Sequence, residues 1–209
     1  MMNQVNKSGI STAKKWRKAV SSSSRWLHIY LSLFSFVALL FFAVTGVTLN
    51  HTDWFSDMQH TNSINDSVNV GYVNGKDTSS VNKLAIVEEF RSKHHVKGSL
   101  AEFRIDDTQC MVSFKGPGYA ADIFLDRESG KYELSETVTG WVGVMNDLHK
   151  GRDSGKTWGL LIDISAILMI LVSLTGLVML FFLKKKRVNG VIVMVVGGLV
   201  VYLVYLFFV

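Results

Sequence analysis

Leu27–Leu49 reads LHIYLSLFSFVALLFFAVTGVTL, twenty-three residues without an acid, a lysine or an arginine. About 20 predominantly apolar residues cross the hydrocarbon core of a bilayer as a helix, so this stretch reads as a membrane span. A cleaved signal peptide has a shorter apolar run closed by a small-x-small site; LNHTDWF follows here, and the span is expected to stay in the protein. Residues 158–183, WGLLIDISAILMILVSLTGLVMLFFL, pass the same length test with one charge, Asp163. After KKKRVNG, residues 191–209 run apolar as VIVMVVGGLVVYLVYLFFV. Three spans account for the 48% hydrophobic content, and lipid is part of the solvent for this fold.

Basic residues orient the spans. Lys7, Lys14, Lys15, Arg17, Lys18 and Arg25 precede the first span without one acid, and Lys184, Lys185, Lys186 and Arg187 lie between the second and third. Both clusters are expected in the cytoplasm by the positive-inside bias. The segment from Asn50 to Thr157 holds 12 basic and 16 acidic residues and is expected outside, as is the C-terminus. The formal net charge of +5 is therefore a topology signal, and nucleic acid is not an expected partner. The expected division is a basic arm at 1–25, a span at 26–50, an outer domain at 51–140, an interfacial helix and linker at 141–157, a span at 158–183, a basic loop at 184–190 and a span at 191–209.

Within the outer domain, TDWFSDMQHTNSINDSVNVGYVNGKDTSS is polar and weakly periodic, which predicts a connector: a loop or a short edge strand. SSVNKLAIVEEFRSKHH predicts one amphipathic helix, capped by Ser79 or Ser80, with Leu84, Val87 and Phe90 on its apolar face beside Ala85. Apolar alternation then predicts strands at Leu100–Ile105, Cys110–Phe114, Ala120–Leu125 and Lys131–Leu134. Turns are expected at Asp106-Asp107, Gly116-Pro117-Gly118 and Glu128-Ser129-Gly130. The fold class is membrane α-helical: three transmembrane helices plus a small α+β domain. Cys110, the only cysteine, sits in an apolar alternation and reads as a buried thiol, so neither a disulfide within the chain nor a thiolate-held iron-sulfur cluster is available. Trp141, Val142, Met145 and Leu148 make one face of an interfacial helix that Gly151 stops, with Trp141 and Trp158 at headgroup level.

Three of the six histidines stand at membrane edges: His28 at the start of the first span, His51 just past its end, and His149 shortly before the second. His51 and His149 therefore reach the same side of the membrane. Two neutral imidazoles from two helices can serve as axial ligands of one haem iron, and Lys150 and Arg152 follow at hand for its propionates. A histidine at a membrane boundary also serves as a plain interfacial polar residue, and spacing leaves both readings open. His60, His94 and His95 lie in polar stretches and are assigned no role.

The spans share a pattern. Gly46 lies eleven residues after Ser35 and Gly176 eleven after Ser165, each glycine preceded by a threonine, in AVTGV and SLTGL. The two spans run in opposite directions, which makes this a weak inverted repeat. His28, Ser32, Ser35, Leu39, Ala43 and Gly46 share one helix face, since eighteen residues make about five turns. Faces of small residues serve close helix packing and would equally admit a flat macrocycle. Asp163 is an intramembrane carboxylate, a functional candidate by default that could also cap or bond a neighbour. No GxSxG, HExxH, phosphate loop or dinucleotide fingerprint occurs.

Taken together, SRWLHIYLSLFSFVALLFFAVTGVTLNH, AADIFLDRESGKYELSE and WVGVMNDLHKGRDSGKTWGLLIDISAILMILVSLTGLV resemble the PepSY-associated transmembrane helix family, in its short single-PepSY bacterial form. RWLH, TLNH and DLHKGRDSG, in that order, are the specific part. The resemblance implies an inner-membrane protein of a Gram-negative bacterium with a PepSY-like periplasmic domain. Relatives that use haem b to reduce ferric siderophores at the periplasmic face imply haem b as cofactor. By position, His51, His149 and His28 become the haem-ligand candidates, with Lys150 and Arg152 beside them. Larger relatives have more spans and more histidines than this chain. The expected function is electron transfer toward a ferric siderophore during iron uptake, in the reaction class of a haem-dependent ferric-siderophore reductase. Electrons would come from quinol or a separate reductase, and a lone His28 site would call for a homodimer. The alternative is a haem-free, membrane-anchored PepSY module that binds a periplasmic protein or peptide.

Overall fold

The computed structural model describes residues 7–73, 81–183 and 185–209. Among the described residues, three helices are long and apolar enough to cross a membrane: α1 (Lys7–Asn50), α4 (Gly155–Phe182) and α5 (Arg187–Phe208). The described part of the basic arm, from Lys7, is helical and continuous with the first span. The chain divides into two compact units, Leu40–Asp163 and Met1–Leu39 with Ile164–Val209, and both α1 and α4 run through the boundary.

The unit Leu40–Asp163 is built on a five-stranded antiparallel sheet of β1 (His60–Ser67), β2 (Ser99–Ile105), β3 (Gln109–Gly116), β4 (Tyr119–Asp126) and β5 (Lys131–Val138). The order across the sheet is β1-β5-β4-β3-β2, so a four-strand meander receives β1, from before it in sequence, on its last strand. The connector expected from HTNSINDS is thus a full eight-residue edge strand, paired with β5 from His60↔Val138 to Ser67↔Lys131. An edge strand that is polar on both faces carries no alternation, which is why the sequence leaves a loop and a short edge strand both open; the edge strand forms, longer than expected.

The strands predicted from alternation bury one face. Cys110, Val112, Phe114, Ala121, Ile123, Leu125, Tyr132 and Leu134 form the core with Ile86 and Phe90 of α2 (Lys83–His94). Burial pushes the Cys110 thiol above its ordinary range. The expected cap of this helix is corrected: Asn82 holds the position, its side chain accepting the Ala85 N–H, while Ser79 and Ser80 lie outside the described residues. The expected apolar face is rotated too. Leu84 is 67% exposed, whereas Ile86 and Phe90, four apart, point inward.

Turns form where Gly, Pro and Asp occur. Pro117-Gly118 joins β3 to β4, with Gly118 at φ +72°, a left-handed conformation open to glycine. After β4, the Asp126 carboxylate accepts the Ser129 N–H and hydroxyl, and Gly130 closes the turn at φ +69°. Arg127 is 6% exposed and points its guanidinium at three carbonyls, Val73, Asp106 and Asp107. A buried cation held by backbone oxygens ties three loops together.

Candidate functional site

In the unit Leu40–Asp163, α3 (Trp141–Lys150) starts on Gly140 and stops at Gly151, whose φ of +68° is the expected helix end. Three contacts clamp it. The Thr48 hydroxyl donates to Asn146 Oδ1 at 2.6 Å, the Gly118 N–H donates to Asp147 at 2.9 Å, and the Trp158 indole N–H donates to the Leu148 carbonyl at 2.7 Å. Asn146 is 7% exposed, so its amide is a built part of this junction. Of the expected apolar face, Val142 is buried and Trp141 is 70% exposed.

His149 is placed by the same clamp. Thr45 Oγ1 lies 2.6 Å from His149 Nδ1 and 2.6 Å from the Phe41 carbonyl, one turn back on its own helix. The threonine proton goes to that carbonyl, so His149 Nδ1 is the donor of the pair and Nε2 keeps its lone pair. Phe42 meets the ring edge-on at 5.1 Å. A Cβ at Gly46 would come within 3.8 Å of His149 Cε1, so the glycine leaves the ring room.

In the unit Met1–Leu39 with Ile164–Val209, His28 repeats the arrangement. Its Nδ1 lies 3.1 Å from the Val172 carbonyl and 3.1 Å from Thr175 Oγ1, while Thr175 donates to Val172 O at 2.8 Å. A carbonyl can only accept, so Nδ1 carries the proton, and Nε2 has no hydrogen bond among the described residues. A Cβ at Gly176 would approach His28 Cε1 to 3.2 Å. Each Thr-Gly of the inverted repeat therefore clips a histidine: Thr45-Gly46 holds His149, and Thr175-Gly176 holds His28.

The other expected residues fall as follows. His51 is half-buried just past α1, its ring stacked on Trp54 at 4.0 Å and 9°. Among the described residues no hydrogen bond or ring contact joins it to His149. Lys150 and Arg152 are exposed, with no ion pair among the described residues. Asp163 is exposed on α4. Described residues include no group of three or more His, Cys, Asp or Glu able to hold a bare metal ion. His94, assigned no role, bonds Tyr132 OH through Nε2 at 2.5 Å, and His95 ends α2 at φ +54°.

Sequence reasoning noticed both Thr-Gly pairs and missed what they hold. The histidine partners lie 104 and 147 residues away in sequence, and only the opposite direction of the spans hinted at them. Thr48 and Asn146 left no signal. Nor did a cavity of about 460 Å³ between the 3-10 turn at Thr52–Met58 and α3, lined by Asp53, Met58, Thr139, Asn146, Asp147 and Lys150. Thr139 Oγ1 is buried there and has no hydrogen-bond partner among the described residues.

Fold and site together define a small membrane protein with three spans, one antiparallel sheet domain between the first two, and histidines held on threonines. The chain belongs to the putative PepSY_TM-like family, whose model matches residues 22–209. No curated protein and no solved structure matches it.

Proposed function

We propose that this chain is a haem b electron-transfer protein of the bacterial inner (cytoplasmic) membrane, assisting reduction of ferric siderophores or similar chelates at the periplasmic face during iron uptake. The N-terminus lies in the cytoplasm, and the sheet domain and C-terminus lie in the periplasm, a reading that the two basic clusters support. The observation that carries the reading is the pair of histidine clips. An imidazole whose Nδ1–H is held by a neighbour has a fixed tautomer and a fixed ring plane, with Nε2 turned out as the atom by which histidine binds iron.

The donor set fits haem b. His149 and His28 present Nε2 beside glycines, His51 is a second histidine in the same unit as His149, and Lys150 and Arg152 offer uncommitted charge for propionates. Bound haem would supply one-electron redox chemistry. The chain's own residues hold the proton on each Nδ1, orient the rings and bring cationic side chains one and three residues after His149. The absence of a nicotinamide or flavin fingerprint calls for a separate donor, quinol or a reductase.

Purification in detergent from haem-replete cells tests this. A Soret band that dithionite shifts, that His149→Ala removes and that a ferric chelate reverses is the expected result. A colourless protein sinks the proposal. The alternative then stands, a haem-free anchored PepSY module binding a periplasmic protein or peptide, with the clips as helix-to-helix bonds; each imidazole already has a polar partner without any cofactor, which favours that reading.

A further inference from the structure

The sheet has two edges that the chain treats differently. β2 is interrupted by a register shift between Leu100 and Glu102 and carries Glu102 and Arg104 along its length. Bulges and charges of this kind keep an edge from pairing with another strand. β1 has neither device at its centre. Its register with β5 is unbroken over eight residues, it contains no proline, lysine or arginine, and all its residues but Ile64 and Asp66 are exposed.

Half of the N–H and C=O groups of such a strand turn away from its neighbour. Among the described residues, Ser67 alone has backbone bonds outside the ladder, its N–H to Asp66 and its carbonyl from Lys93. His60 to Asp66 therefore present an open, flat row of donors and acceptors, the template for one more strand.

We propose that a second copy of this chain pairs there, β1 against β1 antiparallel, joining two five-stranded sheets into one. The strand is complementary to itself. With the two-fold axis at Ser63, that residue faces its own copy, Asn62 faces Ile64, Thr61 faces Asn65, and His60 faces Asp66 at both ends. No like charges meet. The equivalent register on β2 sets Glu102 against Glu102. Confinement of both copies to one bilayer raises their effective concentration, which lets a modest contact suffice. The proposal rests on the sheet and is independent of any cofactor.

The full-length protein in nanodiscs and detergent provides the test. Oxidative crosslinking reads the contact directly, because directly opposed strand residues lie about 4.5–5.5 Å apart at Cα, and the native Cys110 is 0% exposed and silent. Ser63→Cys is expected to form a disulfide dimer rapidly, Leu100→Cys on β2 to form little. In sedimentation the wild type is expected to be dimeric, and Ser63→Lys, which sets two cations face to face, to weaken the dimer at least tenfold with an unchanged melting temperature. A wild type that stays monomeric, a Ser63→Cys that crosslinks no faster than Leu100→Cys, or a dimer indifferent to Ser63→Lys overturns the proposal.

Discussion

The unit Leu40–Asp163 buries Phe90, Phe114, Ile123 and Leu125 completely, whereas in the other unit the only buried side chains among the described residues are two serines, Ser35 and Ser165. Its phenylalanines, valines and leucines face outward, Phe34 at 77% and Val201 at 70% exposure. Water drives the first arrangement. Lipid permits the second, because apolar tails are as good a neighbour for leucine as another leucine, and what must find shelter is the polar group. Stability in the sheet domain is therefore a matter of cavities, and in the spans a matter of pairing.

Substitutions should separate the two regimes by size. Phe90→Ala empties a site walled by the Tyr132 ring at 5.0 Å and is expected to cost about 3–5 kcal/mol in thermal or urea unfolding. Arg127→Met takes the donors from three carbonyls, that of Val73 buried, and should cost about 1–3 kcal/mol, read the same way. The clips come next. Thr45→Val and Thr175→Val each remove a membrane hydrogen bond of about 0.6 kcal/mol. They differ in what remains: Val172 O still holds His28, while His149 loses its acceptor. Imidazole nitrogen chemical shifts should show a mixed tautomer for His149 in the first variant and an unchanged one for His28 in the second; the reverse would break the parallel between the clips.

Alkaline pH should act on the sheet domain. Burial raises the Cys110 thiol above 9.0 and the Tyr119 phenol from 10.0 to about 12. The unfolded chain then ionises first, so stability is complete below pH 9 and falls as pH rises through 9 for the thiol and from 10 toward 12 for the phenol. Melting temperatures across that range should decline, and less steeply in Tyr119→Phe. The smallest effect belongs to the lipid face: Val201→Ala should change stability by less than about 0.5 kcal/mol.

Much of this was legible in the residues. The spans, the turns at Pro117-Gly118 and Ser129-Gly130, the helix stop at Gly151 and the buried thiol each follow from composition or from a backbone constraint local in sequence. Asn82 displaced the serines as cap and Ile86 displaced Leu84 on the inner face, because several polar residues can cap and a short helix can roll by a position at little local cost. The segment of β1 reads only as a loop or a short edge strand, for a different reason. A strand is defined by its neighbour, and HTNSINDS shows nothing of Lys131–Val138.

For the histidines the division is sharper. Sequence by itself determined that His28, His51 and His149 stand at span ends and that two threonine-glycine pairs repeat in spans of opposite direction, since hydropathy and charge act residue by residue. Only the tertiary structure decided that Thr45 receives His149 and Thr175 receives His28, and that His51 turns to Trp54. A hydrogen bond of about 3 Å between residues more than a hundred positions apart depends on how helices pack, and packing is a property of the assembled chain.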